Sequence, residues 1–528
     1  MVGLEIWALS LLVFLSSAEA AVRQYTLELT NELVSPDGFP RRGVIVNNKL
    51  PGTIITAQKH DQLQIEVVNN LTDTSMAQGT SVHWHGILQH RRAIQDGVAW
   101  VTQCPIAPGD KYLYNFNVGE QTGTYWYHSH VSTQYCDGLL GPLVIYDPDD
   151  PLKDLYDVDD ENTVITLMDW FHLPSPKVLQ TFGYPASYLI NGRGRVPGAN
   201  HDVALSVVNV DPFKRYRLRV INGACLAGFN FSIDGHDLTV IEIDGVETVP
   251  QTVGMVSLFS GQRVSVVISA NKPIGNYWIR SIPLIPGIPV SNETGVNSAI
   301  LRYAGAHQTE PETVQTSFKL LREEDVVPFV PSNLSHGEPD VKINLNIGMD
   351  KPKGNFTVNG VSFRPPTLPL LLQILKGNVD PRKYLPGGSV YTLPRNKLIE
   401  ISIPGKSPLA PHPFHLHGHQ FAVTRSAGTT KVNTWNPPLR DVVNAGVAGD
   451  NITFRFRTDN PGPWFLHCHV DLHLDTGLAI VFAEDPQDQI AGPDAEEYTQ
   501  EWADLCPKWN SLKTGKQYSI DDFQEYQY

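Results

Sequence analysis

The clearest order in this chain is alternation. GDKYLYNF from Gly109, GQRVSVVI from Gly261 and GDNITFRF from Gly449 each place apolar side chains at every second position. That is the period of a β-strand with one buried face. Each is followed by an aromatic strand, GTYWYHSH (123–130), GNYWIRSI (275–282) and GPWFLHCH (462–469), at glycine-to-glycine spacings of 14, 14 and 13. Upstream of each pair, SVHWHG (81–86), FSIDG (231–235) and FHLHG (414–418) recur in the same order. Short strands between Gly, Pro and Asn turns, repeated three times, predict an all-β chain of three β-sandwich domains of one type. The acidic stretches DPDDPLKD and LLREED place the boundaries, giving domains at 21–150, 151–320 and 321–528, the last with a C-terminal tail. A chain of 528 residues is too long for one core and suits three.

The three copies differ where chemistry would sit. The first and third carry His-x-His, whereas the middle copy has Ser232, Asp234, Arg280 and Ile282 at those positions. The chemistry is therefore expected in the outer domains, with the middle one a spacer that also shapes a surface. Its four histidines, His172, His201, His236 and His307, are isolated and read as structural or exposed.

Scattering 18 histidines at random would give about 0.6 His-x-His pairs, and the chain has five: 83/85, 128/130, 415/417, 417/419 and 467/469. Residues i and i+2 of a strand face the same way, so each pair aims two imidazoles at one point. Imidazole suits several transition metals, and the pairs alone do not name one. Cys468 narrows the choice. By the same rule it points away from His467 and His469, and His412, three residues before His415, faces away from its own pair. Cys468, His412 and His473 then form a His₂Cys set, that of a blue copper site; a structural zinc would want a fourth protein ligand. Ten residues after Cys468 stands Leu478, which cannot coordinate. An axial position without a donor favours the reduced ion and raises the potential.

Composition and charge bound the setting. IWALSLLVFLSSAEA, ending in a small-x-small site at Ala18-Glu19-Ala20, reads as a cleaved secretory signal over 1–20, with a membrane anchor as the alternative. No other apolar run is long enough to span a membrane. Sequons at Asn70, Asn230, Asn292, Asn333, Asn355 and Asn451 fit a secreted, extracellular glycoprotein. A formal charge of −15 argues against nucleic acid and anionic membrane as partners. With Cys468 set aside, Cys104, Cys136, Cys225 and Cys506 allow three disulfide pairings.

HWHG, WYHSH, HPFHLHGH and HCHVDLHLDTGLA, in that order, resemble the four copper signatures of the multicopper oxidases, most similarly those of fungal laccases. The resemblance runs from about residue 25 to 506 and implies three cupredoxin-like (plastocyanin-like) domains and four copper ions. Carried over by motif, His412, Cys468 and His473 would bind type 1 copper, and His83 and His415 type 2. His85, His128 and His469 would hold one type 3 copper, and His130, His417 and His467 the other. The implied activity is one-electron oxidation of phenols, diphenols and aromatic amines, lignin-type phenolics among them, coupled to reduction of O₂ to water, by a monomer. Asp96 matches an acid that family members place near the trinuclear cluster and would relay protons. The resemblance also implies the disulfides Cys104–Cys506 and Cys136–Cys225, and a shallow substrate site near an exposed edge of His473.

Five further positions are read individually. Leu226 stands where relatives often carry a carboxylate that assists substrate deprotonation, which predicts a weaker preference for protonated amines. Leu472 replaces a common tryptophan. Asp471 either orients a ligand or faces a turn. His419 is left out of the ligand set because Gly418 breaks the strand, and His90, beside Arg91 and Arg92, reads as solvated. The alternatives are a ferroxidase of the same family, disfavoured because SIPGKSPLAP (402–411) offers no acid for Fe²⁺, and a non-catalytic copper-binding β-sandwich protein.

Overall fold

The structure, a computed structural model, describes residues 20–198, 203–285, 295–350, 354–380, 383–384, 387–405 and 411–512. The signal segment, except Ala20, lies outside these residues, as do His201 and the Asn292 sequon. Among the described residues no helix is long and apolar enough to cross a membrane.

The alternating segments form strands in three successive sandwiches. Strand Lys111–Asn117 edges a four-stranded sheet that also contains Val22–Val34, Arg41–Val46 and Gln62–Asn69. A second four-stranded sheet carries Val82–His85 at one edge, beside Gly123–Ser129. In the middle sandwich a seven-stranded sheet holds Arg263–Ser269, and a five-stranded sheet holds Phe229–Ile233 beside Asn276–Pro283. The last sandwich has two five-stranded sheets, one with Asn451–Arg457, the other with Pro413–Leu416 beside Gly462–Cys468. A small two-stranded sheet, Ile347–Asp350 with Asn355–Val358, lies beside them.

The three aromatic strands keep one register with their upstream partners. His83 pairs with His128, His415 with His467 and, in the middle copy, Ser232 with Arg280. Because side chains alternate, this single register puts both residues of each pair on the same face as both residues of its partner. In the outer sandwiches four imidazoles therefore share a surface. In the middle one Arg280 donates from Nε and Nη2 to Asp234 at 2.8 and 2.7 Å, an ion pair where the others carry histidines.

Packing joins the outer sandwiches more closely than the middle one. One continuous apolar core runs from Leu27, Trp84 and Tyr114 through Phe414, Trp464 and Leu478 to Trp502 and Trp509 of the terminal helix Gln500–Ser511. Cys104–Cys506 ties that helix back to the first sandwich across 402 residues. The middle sandwich keeps its own core around Leu218, Phe231 and Ile279. It meets its neighbours at a third cluster that includes Trp126, Trp170, Leu472 and the Cys136–Cys225 bridge. Leu472 thus fills an apolar contact beside a disulfide. Of the sequons, Asn70 and Asn333 are exposed, and Asn230 and Asn451 are partly buried. Asn355 corrects the expectation: it is 3 % exposed within its strand, which leaves no room for a glycan in the folded chain.

Candidate metal centre

Ten histidines and Cys468 collect in two neighbouring places. His85, His128 and His469 offer ligand atoms within 4.8 Å of one another; so do His130, His417 and His467, and so do His83, His85 and His415. All of these rings are buried. On the other face of strand Gly462–Cys468, Cys468 Sγ lies 3.6 Å from His412 Nδ1 and 3.7 Å from His473 Nδ1. His412 immediately precedes strand Pro413–Leu416, and His473 sits in the one-turn helix Asp471–Asp475.

The tautomers show what the first cluster is built for. His83 Nδ1 donates to the Asp96 carbonyl at 2.7 Å, and His415 Nδ1 to the Asp441 carbonyl at 2.8 Å. Their Nε2 atoms, left with bare lone pairs, face each other at 3.4 Å. His417 Nδ1 donates to Asp96 Oδ2 at 2.9 Å and His467 Nδ1 to the Cys468 carbonyl at 2.9 Å, and their Nε2 atoms face each other at 3.1 Å. Lone pairs held this close repel unless a cation lies between them. Nε2 of His128 and Nε2 of His130 are buried without any hydrogen-bond partner. The donor set therefore fits metal ions of the imidazole-binding class.

Burial, with repulsion from neighbouring imidazoles, favours the neutral, metal-binding form of eight of these rings. Burial, then neighbouring imidazoles, keep His85, His128, His130, His415, His417 and His469 well below the ordinary histidine value. Burial pulls His467 down to about 3 and His412 down to about 4. Burial pushes the Cys468 thiol up, so that only a bound cation would hold it as thiolate.

Asp96 follows the 3₁₀ turn Ala93–Gln95 and is fully buried. Its Oδ2 accepts a hydrogen bond from His417 Nδ1, while Oδ1 lies 3.2 Å from His83 Nδ1 without a hydrogen bond. Gly97 allows this approach: at φ +77, a Cβ there would fall 1.8 Å from the Val82 carbonyl. Gly418, at φ +70 against the Trp464 ring, ends the histidine strand, and His419 turns to Glu484 Oε2 at 2.9 Å. His419 is thus hydrogen-bonded to a carboxylate away from the cluster, and His90 is exposed. In the middle sandwich His172 pairs with Asp37, His236 with the Tyr303 hydroxyl, and His307 is exposed.

Around Cys468 the fold adds detail. Leu478 is fully buried; its carbonyl accepts from Cys468 N and its own N–H donates to the His473 carbonyl, each at 3.0 Å. Phe356, with ring centroids 4.6 Å from His473 and 5.6 Å from His412, covers the same place and had no signal in the sequence. His473 remains partly exposed. Leu226 is partly buried, its N–H and those of Cys225 and Ala227 gathered by the buried Asp169 carboxylate at 2.8–3.0 Å. The Cys225 carbonyl accepts from Asp471 N at 2.9 Å, joining that loop to the His473 helix. Asp471 is buried, and burial pushes its carboxyl well above the usual range, ahead of Asp475 and Asp169.

Sequence pattern also missed a second carboxylate beside the imidazoles. Asp441 lies with Oδ1 3.4 Å from His85 Nε2, and Arg263 of the middle sandwich grips it with two bonds of 2.6 and 2.7 Å. No spacing rule reaches it, because its place depends on three sandwiches meeting.

Comparison with known proteins gives the same picture. The multicopper oxidase family models match residues 28–150, 161–306 and 363–488. Laccase-1 of Trametes villosa is 50% identical over 501 residues, covering 93% of this chain and 95% of its own. The laccase of Trametes hirsuta is 49% identical, with 96% and 99% covered. Among solved structures, the laccase from Botrytis aclada superposes with a TM-score of 0.83 at 33% identity, covering 96% of this chain and 95% of its own. A multicopper oxidase that functions in iron import superposes with a TM-score of 0.82 at 26% identity, covering 95% and 98%. The chain belongs to the multicopper oxidases, its sandwiches are cupredoxin-like, and copper is its metal. With about half its residues shared with fungal laccases over nearly full length, its activity is that of a laccase.

Proposed function

We propose that the chain holds four copper ions and uses them to oxidise phenols, diphenols and aromatic amines with O₂. His412, Cys468 and His473 hold the type 1 ion, and His83 and His415 the type 2 ion. His85, His128 and His469 hold one type 3 ion, with His130, His417 and His467 on the other. When bound, copper supplies single-electron removal from the substrate and the four-electron reduction of O₂ to two waters. The observation that carries this reading is the pairing of bare imidazole lone pairs at 3.1 and 3.4 Å beside a separate His₂Cys cluster.

The chain's own residues divide the work. The partly exposed edge of His473 receives the substrate ring, and Leu226 lines that approach without a charge. Cys468 belongs to one cluster and its sequence neighbours His467 and His469 to the other, so a short covalent path links them. Asp96, with Oδ2 accepting from His417 Nδ1 and Oδ1 without a hydrogen bond, is the acid placed to pass protons to the site. The tight histidine cage, walled by Trp126 and Phe465, limits water around the site. The protein is read as a secreted, extracellular monomer that binds no nucleic acid or membrane, with exposed sequons at Asn70 and Asn333 in keeping with that setting.

Metal analysis with oxygen uptake tests the reading. Four coppers per chain and a diphenol-dependent uptake, lost on stripping and restored by copper, are expected. Fe²⁺ turning over faster than diphenols would place the chain with the iron-oxidising branch instead.

A further inference from the structure

We infer that the middle sandwich, which has no His-x-His of its own, supplies a positioning segment for the trinuclear site, and that Ser260 is its central residue. The inference rests on the ligand assignment proposed above. Five distal imidazole nitrogens are held by outer-sandwich groups: His83 and His417 by Asp96, His128 by the Ser129 carbonyl, His415 by the Asp441 carbonyl and His467 by the Cys468 carbonyl. His469 is reached from the middle sandwich as well as by its own carbonyl and Tyr135 of the first sandwich. Its Nδ1 lies 3.1 Å from Ser260 Oγ, with the Tyr135 hydroxyl farther off at 3.3 Å. The Ser260 hydroxyl donates its own proton to a carbonyl, that of Ala224 or that of His469, leaving its lone pairs for the Nδ1 proton. That arrangement leaves Nε2 of His469 as the bare atom, facing His85 Nδ1 at 3.2 Å.

The backbone beside Ser260 points the same way. Gly261 has φ +87, and a Cβ there would lie 2.8 Å from His469 Cδ2 and 3.0 Å from His85 Cε1. Main chain of the middle sandwich is thus packed directly on two imidazoles of one triad. Gln262 Nε2 donates to the Val442 carbonyl at 3.1 Å. Arg263, fully buried, spans all three sandwiches: Thr124 carbonyl, Asp244 and Asp441. Asp441 in turn holds His415. Three of these four consecutive residues, Ser260, Gly261 and Arg263, touch ligands or the groups that hold them, more than a spacer needs.

A hydroxyl that fixes a ligand's tautomer and ring angle is worth about 10- to 100-fold in metal retention. The test compares wild type with Ser260→Ala and Ser260→Thr, all copper-loaded, by copper content during titration with a chelator and by absorption. Expected in Ser260→Ala are about tenfold easier loss of the trinuclear coppers and a weakened near-ultraviolet band of the coupled pair. The blue type 1 band should persist, and Ser260→Thr, which keeps the hydroxyl, should recover the near-ultraviolet signal. Unchanged retention and absorption in Ser260→Ala would overturn the inference, as would loss of the blue band in step with the near-ultraviolet one. Wild type with fewer than four coppers and no near-ultraviolet band would sink the ligand assignment itself, and this inference with it.

Discussion

The outer and middle sandwiches hold the same strand pair in the same register and put different groups on it. His83 opposite His128 and His415 opposite His467 build a metal cage; Ser232 opposite Arg280 closes an ion pair with Asp234. Arg280 is a quarter exposed and Asp234 is buried, so the middle pair is a modest structural tie. One architecture therefore carries clustered histidines twice and an ion pair once. The difference lies in side chains alone, since the backbone pairing is shared.

That comparison can be broken at several points. The largest effect is expected from Cys468→Ser, which removes the proposed soft ligand from the outer-domain strand. Steady-state kinetics should show at least about a 10³-fold loss of kcat/KM for diphenols, with the blue absorption gone and the trinuclear coppers retained. Next comes Asp96→Asn. Turnover should fall by about 10²-fold, most steeply as pH rises and solution protons become scarce; equal rates across the pH range would remove Asp96 from proton delivery.

The same histidines predict a sensitivity to acid. Their folded values lie below the unfolded value of about 6.5, so the unfolded chain binds more protons as pH falls. The stability of copper-free protein should be full above about pH 6.5 and decline below it, by about 1.4 kcal/mol per pH unit for each imidazole still neutral in the fold. Urea melts of stripped and loaded protein measure this. Copper competes with protons for the same nitrogens, so loading should move the decline to lower pH.

The corresponding change in the middle sandwich should spare chemistry. Asp234→Ala leaves Arg280 unpaired and should cost about 1–3 kcal/mol in a denaturant melt. Its kcat/KM should stay at wild type; a large kinetic loss would mean the framework copy is coupled to turnover. The smallest effect is expected from Leu226→Asp. A carboxylate on the substrate approach should raise the rate for aromatic amines by about tenfold or less and shift the pH profile for phenols.

The legibility of the site followed distance along the strand. Period-two alternation made the histidine pairs and the opposite facing of Cys468 readable, because strand geometry is local. The Cys136–Cys225 and Cys104–Cys506 bridges came only with the family resemblance, since four cysteines admit three pairings. Asp441, Phe356 and Ser260 left no readable trace. Each acts on a histidine from a different part of the chain, and such contacts exist only once the sandwiches pack. The middle domain, read as a spacer that also shapes a surface, carries no His-x-His in its strands, yet its turn Phe259–Gln262 packs against His469.

The sequence by itself determined the chemistry available. It set an all-β chain with threefold repetition, imidazoles in facing pairs, one thiol turned the other way and a leucine where an axial donor would stand. Those properties depend on side-chain identity and a two-residue period, both written in the order of residues. Only the tertiary structure decided which nitrogen of each histidine is bare, which carbonyls and hydroxyls hold the others, and that a third sandwich braces the cage. Such choices depend on directions of hydrogen bonds between segments up to hundreds of residues apart, and direction is not defined until the chain has packed.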